Sequence, residues 1–149
     1  MTEELESLYE AYLSEFRRME RERRPFEGAF GLGGGPQSYP CHSKFAEDLE
    51  RLLRDFAART PSSGQVGQAL NYIYFTAPAR WRAEPAVDWM LIAVHGLTLE
   101  LIPLLDAEDA QPLCRNYQSL YPRRSRLPVQ TKLLAALQKR CGAEYRHRS

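Results

Sequence analysis

A chain of 149 residues, 44% hydrophobic and 26% charged, has the size and balance of one folded domain, which excludes an intrinsically disordered protein. A net charge of only +1 argues against a dedicated DNA-binding protein, which should carry a strong basic excess. Three cysteines without a CxxC pair argue against a disulfide framework and favour a reducing compartment, so we expect a cytoplasmic protein.

The first predicted helix covers about residues 3–24, because apolar residues recur there at spacings of three and four and form one stripe. Pro25 ends this helix. An irregular, glycine-rich connection is predicted over residues 26–40, and three of its glycines, Gly33, Gly34 and Gly35, are consecutive.

A second amphipathic helix is predicted from residues 40–43 to about residue 59. In the next segment Ser62 and Gln65 have the spacing of a capping box, which predicts the start of a third helix. We expect that helix to end before Pro78, because proline cannot donate the backbone hydrogen bond that continues a helix.

The fourth predicted helix covers about residues 85–100 and is apolar nearly all the way round between Val87 and Leu99. A helix of this kind is buried on most sides, so it is predicted to be the central helix. Its longest uncharged run is far shorter than the roughly 20 residues that span a bilayer, and we expect no membrane association.

Two further helices complete the predicted set. The fifth begins at Asp106, is expected to be kinked or divided at Pro112, and turns Tyr117 and Leu120 inward. The sixth covers residues 128–141 and stops at Gly142. The sequence thus predicts an all-α single domain over residues 1–149, with five to seven helices around a buried central helix and a basic, frayed tail at 142–149.

The glycine-rich connection is a weak candidate for an anion or small-ligand site, because glycine lets backbone N–H groups approach an anion at a helix N-terminus. No lysine followed by serine or threonine comes after the glycines, and Pro36 occupies the position of the third glycine of a GxGxxG motif. We therefore interpret Gly33–Gly35 as a connection that acts by its geometry, with anion binding as the alternative.

Cys41 and His42 form the second candidate site. A thiol in the first turn of a helix can become reactive, and Cys41 is expected to lie outside any apolar stripe. His95 could supply a base through the fold, although a hydrogen-bonded core histidine is the simpler interpretation. The cysteines and histidines lack the paired spacing of a zinc site, so no metal and no cofactor are expected.

The basic C-terminal part is the third candidate. Residues 123–149 hold eight lysines or arginines and one glutamate. The partner-binding candidates within it are Arg123, Arg124, Arg126, Lys139 and Arg140. The simpler interpretation is a solvated, partly frayed C-terminus. Because arginine binds carboxylates and phosphates through forked hydrogen bonds, the alternative is a site for an acidic protein surface or a nucleic acid.

Three functions follow from these candidates. The favoured one is a non-enzymatic interaction or regulatory module that binds another protein through helix faces and exposed arginines. The alternatives are a ligand-binding protein or enzyme with its site at the glycine-rich connection and Cys41-His42, and a nucleic-acid binder that uses the basic C-terminal residues. A continuous basic face from Arg123–Arg126 to the arginines of the first helix would favour the last.

Overall fold

The computed structural model describes residues 1–23, 38–81 and 84–142, and these residues form helices without any β-strand. The α-helices are α1 (Thr2–Arg23), α2 (Pro40–Ala58), α3 (Ser63–Asn71), α4 (Ala77–Arg80), α5 (Pro85–Ala93), α6 (Ala107–Leu120) and α7 (Pro128–Cys141). A π-helical turn, Tyr72–Thr76, joins α3 to α4 into one rod. Short 3-10 helices are formed by Val94–Thr98, Ile102–Leu104 and Arg123–Ser125. The predicted all-α single domain is confirmed.

The inner face of α1 packs against α2 through aromatic rings. Tyr12 stacks on Phe45 with ring centroids 4.2 Å apart, and Tyr9 meets the same ring edge-on at 4.9 Å. Both tyrosines are buried, as the predicted apolar stripe requires. Such rings bury a large apolar area in a fixed geometry, which sets how α2 lies on α1.

The start of α3 is fixed by its own cap and by α6. The predicted capping box is confirmed, since the Ser62 hydroxyl accepts from the Gln65 N–H and the Gln65 side chain accepts from the Ser62 N–H. The next residue, Ser63, accepts from the backbone N–H of Asp106 at 2.7 Å and donates to the Asp109 carboxylate. The first turns of α3 and α6 are therefore held together.

The predicted end of the third helix before Pro78 is wrong, because the rod continues to Arg80. Pro78 has no N–H for the Tyr74 carbonyl, and a proline ring also crowds the carbonyl four residues earlier. The chain widens by one residue into the π-helical turn, in which the Ala77 N–H bonds to the Tyr72 carbonyl. The Tyr121 hydroxyl donates to the Tyr74 carbonyl at 2.8 Å and replaces the missing donor.

The predicted central helix is helical over the expected region but changes type at Val94. Its second half, the 3-10 helix Val94–Thr98, contacts both α2 and α7 and buries His95 completely. At Gly96 a Cβ atom would lie 3.0 Å from Val129 Cγ2, so the absent side chain lets α7 approach closely. The first half, α5, buries Val87 and Leu91 but exposes Asp88 and Trp89, so this half is less buried than the expected helix that is buried on most sides.

The helices α6 and α7 pack along each other and form the other side of the core. Pro112 does not divide α6, and Glu108, whose carbonyl it leaves without the helical hydrogen bond, is exposed to solvent. Gly142 follows α7 with φ 86°, which confirms the predicted stop.

Within the described ranges, no helix combines the length and apolar character that crossing a bilayer requires. Residues 26–37 of the predicted glycine-rich connection and residues 143–149 of the predicted tail lie outside the described residues.

Candidate functional site

A groove with a volume of about 540 Å³ opens between α4 and α5 on one side and the end of α6 and the start of α7 on the other. We call it the apolar groove, after its most exposed side chains. It is lined by Pro78, Ala79, Asp88, Trp89, Ile92, Leu120, Tyr121, Ser125, Leu127 and Gln130. Tyr121 and Ser125 of this lining belong to the segment that follows α6.

Exposed apolar side chains concentrate at this groove. Among the described residues, the large hydrophobic side chains with the greatest exposure are Trp89 (40%), Leu104 (41%), Leu120 (44%) and Leu127 (48%). All of these except Leu104 line the apolar groove. Single exposed leucines are common, but a contiguous group around one cavity is typical of a binding surface.

Trp89 is held in place by its neighbours. Its indole ring lies edge-on to the His42 ring at 5.0 Å between centroids. Its Nε1–H donates to the Ala86 carbonyl at 2.9 Å. Because the side chain is already ordered, little rotamer entropy is lost when a partner packs on it.

The polar side chains of the groove are also fixed. Gln130 is buried, and its side-chain oxygen accepts from the Leu127 N–H at 2.9 Å. The Tyr121 hydroxyl donates its hydrogen bond to the Tyr74 carbonyl. These two polar groups are therefore satisfied, which leaves the apolar side chains and the exposed carboxylate of Asp88 to contact a partner.

The structure divides the predicted basic cluster into two places. Arg123 and Arg124 lie in the 3-10 helix beside the groove, both exposed and without an ion pair to any described residue. Arg126 follows them and donates from Nε to the Tyr121 carbonyl at 3.0 Å. Lys139 and Arg140 lie near the other end of α7, about 18 Å along the helix axis from its start. The Arg140 Nε donates there to the Leu105 carbonyl.

The arginines of α1 do not extend the unpaired charge at the groove. Arg17 donates twice to the Glu84 carboxylate, at 2.7 and 2.9 Å. Arg18 is paired with Glu15 and Glu22. The basic face that would favour a nucleic acid is therefore interrupted by carboxylates at these two positions.

Cys41 and His42 both lie on the buried face of α2. The expectation that Cys41 lies outside an apolar stripe is wrong, because the start of α2 packs on α1 and leaves the residue only 3% exposed. Burial raises the pKa of the Cys41 thiol, and the nearby Glu15 carboxylate raises it further. The thiolate needed for nucleophilic chemistry is thereby disfavoured.

The two candidate histidines lie in different aromatic clusters. The His42 Nδ1 is hydrogen-bonded to the Tyr12 hydroxyl at 2.7 Å, whereas the His95 Nδ1 is bonded to Tyr117 at 2.8 Å. The His95 ring also packs against Tyr74 and Tyr121. Burial lowers the pKa of His95 to about 3, so this imidazole is neutral at physiological pH. His95 is a core histidine behind the apolar groove, and it has no aromatic neighbour in common with His42 in the described chain.

The glycine candidates Gly33, Gly34 and Gly35 lie outside the described residues. In the ranges that the structure covers, no group of three or more histidine, cysteine, aspartate or glutamate residues could hold a metal ion.

Sequence reasoning missed the apolar side of this site. The sequence pattern predicted that Leu120 faces inward with Tyr117 and that Trp89 lies in a helix buried on most sides. Leu120 is exposed because α6 ends there and the chain leaves the core. Asp88, directly before Trp89, was the signal that one side of this helix meets solvent.

No protein-family model, curated protein or solved structure matches the chain.

Proposed function

We propose that the protein is a non-enzymatic interaction module whose apolar groove binds an amphipathic segment of a partner protein. The observation that carries the proposal is the grouping of three exposed hydrophobic side chains around one cavity, beside two unpaired arginines. The partner would place apolar side chains against Trp89, Leu120 and Leu127, and acidic side chains near Arg123 and Arg124. Amphipathic helices commonly bind hydrophobic grooves in this manner.

The ordered indole of Trp89 is the expected energetic centre of binding. Tryptophan and arginine are enriched among the residues whose truncation costs about 2 kcal/mol or more in protein interfaces. Trp89 is already packed on His42 and hydrogen-bonded to the Ala86 carbonyl. The sequence candidate His42 thus contributes as a support for Trp89 rather than as a ligand.

The arginines supply orientation and charge complementarity. Because Arg123 and Arg124 have no carboxylate among the described residues, a partner carboxylate can pair with them without displacing an internal one. Charges at the rim of an interface chiefly steer association. We therefore expect an acidic partner segment whose binding weakens with salt.

The protein also fits the cytoplasm as its compartment. Its three cysteines are free and buried, and reduced cysteines persist where glutathione and thioredoxin are present.

The test is a selection of 16-residue peptides displayed on phage against the parent protein, followed by affinity measurements with the parent and the variant proteins. The selected peptides should carry leucine, isoleucine or phenylalanine at helical spacing together with aspartate or glutamate. Affinity for the Trp89→Ala protein should be at least about tenfold weaker. Leu104→Ala is the matched control, because this leucine is equally exposed but lies away from the groove.

Charge reversal separates the two parts of the predicted basic cluster. Arg123→Glu combined with Arg124→Glu should slow association at low salt, whereas Lys139→Glu at the far end of α7 should not. Selected peptides that bind the Trp89→Ala and Leu120→Ala proteins as tightly as the parent would refute the proposal. Binding of a single-stranded oligonucleotide that needs the arginines but not Trp89 would support the nucleic-acid alternative instead.

A further inference from the structure

A second groove, with a volume of about 530 Å³, runs along the α3–α4 rod between the start of α1 and the first half of α6. We call it the amide groove. It extends along the rod from Gly64 to Arg80, which corresponds to about 24 Å at 1.5 Å per residue. An extended peptide of about seven residues has this length. The long, open shape suits a chain segment better than a compact ligand.

Three amide side chains line this groove from both sides. Gln68 and Asn71 lie on α3, and Asn116 lies on α6. All three are exposed and make no side-chain hydrogen bond with other described residues. A carboxamide offers a donor and an acceptor together, which is the pairing that a peptide main chain requires.

A buried hydroxyl lies at the wall of the same groove. Tyr72 is 3% exposed, and its Oη has no hydrogen-bond partner in the described part of the chain. A buried polar group without a partner costs about 1–3 kcal/mol. Arg80 lies nearby, but its guanidinium is directed to Glu6 at 2.7 Å and to Glu10 at 3.0 Å. Arg80 interacts electrostatically with this hydroxyl and partly offsets the rise in its pKa that burial causes.

The glycines of α3 are not explained by packing. A Cβ atom at Gly67 would meet only Leu105 Cδ2 at 3.9 Å, and one at Gly64 only Ser62 Oγ at 4.0 Å. Both contacts are ordinary, yet each glycine in a helix costs about 1 kcal/mol relative to alanine. A glycine that weakens a helix without improving its packing is typical of a functional surface. Here the missing side chains widen the groove.

The charge of the groove indicates the character of its ligand. The Arg80 cation is already shared by the carboxylates of Glu6 and Glu10. Asp109 adds a second carboxylate to that of Glu6 in the lining. The groove therefore carries a net negative charge and favours a cationic group.

We propose that the amide groove binds an extended peptide segment that carries a lysine or arginine. Gln68, Asn71 and Asn116 pair with its main-chain amides, and Glu6 and Asp109 attract its basic side chain. This ligand is opposite in charge to the one proposed for the apolar groove, so the two sites take different segments.

The test is a ¹⁵N NMR titration of the whole protein with a capped heptapeptide of alanine and glycine around one central lysine. The side-chain NH₂ signals of Gln68, Asn71 and Asn116 should shift in a saturable manner. Asn71→Ala combined with Asn116→Ala should weaken binding by about tenfold or more, because two main-chain partners are lost. Both asparagines are exposed, so this variant should fold.

Three controls locate the interaction. Trp89→Ala should leave the affinity for this peptide unchanged, which separates the result from that of the apolar groove. A peptide with N-methylated amides should bind at least about tenfold more weakly if the main chain is recognised. A peptide with glutamate in place of lysine should bind more weakly by a similar factor. Absence of binding, or equal binding by the double asparagine variant or by either altered peptide, would overturn the proposal.

Discussion

Two grooves adjoin the same helical rod, and they differ most in how their charges are paired. At the apolar groove Arg123 and Arg124 have no ion pair with a described residue, and the lining combines apolar side chains with the exposed carboxylate of Asp88. At the amide groove Arg80 is bound by two carboxylates, and three amide side chains and two glycines are among the lining residues. The apolar groove therefore offers unpaired arginines for ion pairs with a partner, whereas the amide groove offers unpaired amide groups for hydrogen bonds.

The π-helical turn contacts residues of both grooves. It buries three consecutive residues, Tyr72, Ile73 and Tyr74, which a regular surface helix would not do. The Tyr72 ring meets Tyr9 of α1 at 5.4 Å, whereas the Tyr74 ring meets Tyr117 of α6 at 5.3 Å. One tyrosine thus backs the amide groove and the other supports the apolar groove. Such turns are frequent at functional sites.

The largest expected effect distinguishes the core behind the apolar groove from its surface. Val94→Asp buries an unpaired charge at a position that is 2% exposed, so the free energy of unfolding should fall by about 4 kcal/mol. Ile92 lines the groove and is only half-buried, so Ile92→Asp should cost about 1 kcal/mol. Urea denaturation followed by circular dichroism measures both values.

The Ile92→Asp protein also tests the separation of the grooves. It should lose binding of the acidic amphipathic peptides and keep binding of the lysine-containing heptapeptide. Equal destabilisation by the two substitutions would show that Ile92 belongs to the core and that the groove is shallower than described.

Acidification should weaken the core behind the apolar groove. His95 has a pKa of about 3 in the folded state and about 6.5 when unfolded, so between these values the unfolded chain binds the additional proton. Its contribution to stability is complete above pH 6.5 and falls by up to about 1.4 kcal/mol per pH unit below it. At pH 5 the loss due to His95 should be about 2 kcal/mol.

His95→Gln isolates this effect from the titration of carboxylates. Glutamine can still hydrogen-bond to Tyr117 but does not titrate. The parent should lose about 2 kcal/mol more than this variant between pH 7 and pH 5, measured by urea denaturation at each pH. Parallel loss in both proteins would mean that His95 is not held neutral. Tyr72, in the amide groove, should remain neutral, because burial raises its pKa to about 12.

Local patterns predicted the helices better than the surfaces. The capping box at Ser62 and the stop at Gly142 were correct, because each depends on residues that are adjacent in the chain. The continuation through Pro78 could not be predicted, because it depends on a hydroxyl from Tyr121, 43 residues later in the chain. The exposure of Leu120 and the burial of Cys41 likewise depend on where other helices pack.

The sequence also could not predict how the candidate site residues are arranged in space. Arg123 and Arg124 were identified from charge alone, and the structure places them beside a cavity. Their grouping with Lys139 and Arg140 was wrong in space, because the length of α7 lies between them. The amide groove was not foreseen at all, since isolated glutamines, asparagines and helix glycines carry no recognised motif.

The smallest expected effect concerns two glycines that differ in their surroundings. Gly67→Ala should raise the free energy of unfolding by up to about 1 kcal/mol, because alanine favours the helix and its Cβ would meet only Leu105 at 3.9 Å. Gly96→Ala should lower it by about 1 kcal/mol, because its Cβ would lie 3.0 Å from Val129 Cγ2, and α7 would have to shift. Urea denaturation of both variants gives the two signs directly. Destabilisation by Gly67→Ala would mean that this glycine serves the packing of α3 and is not present to widen the amide groove. Stabilisation, together with weaker binding of the lysine-containing peptide when Gly67→Leu fills the groove, would show that the chain gives up stability at this position to keep the groove open.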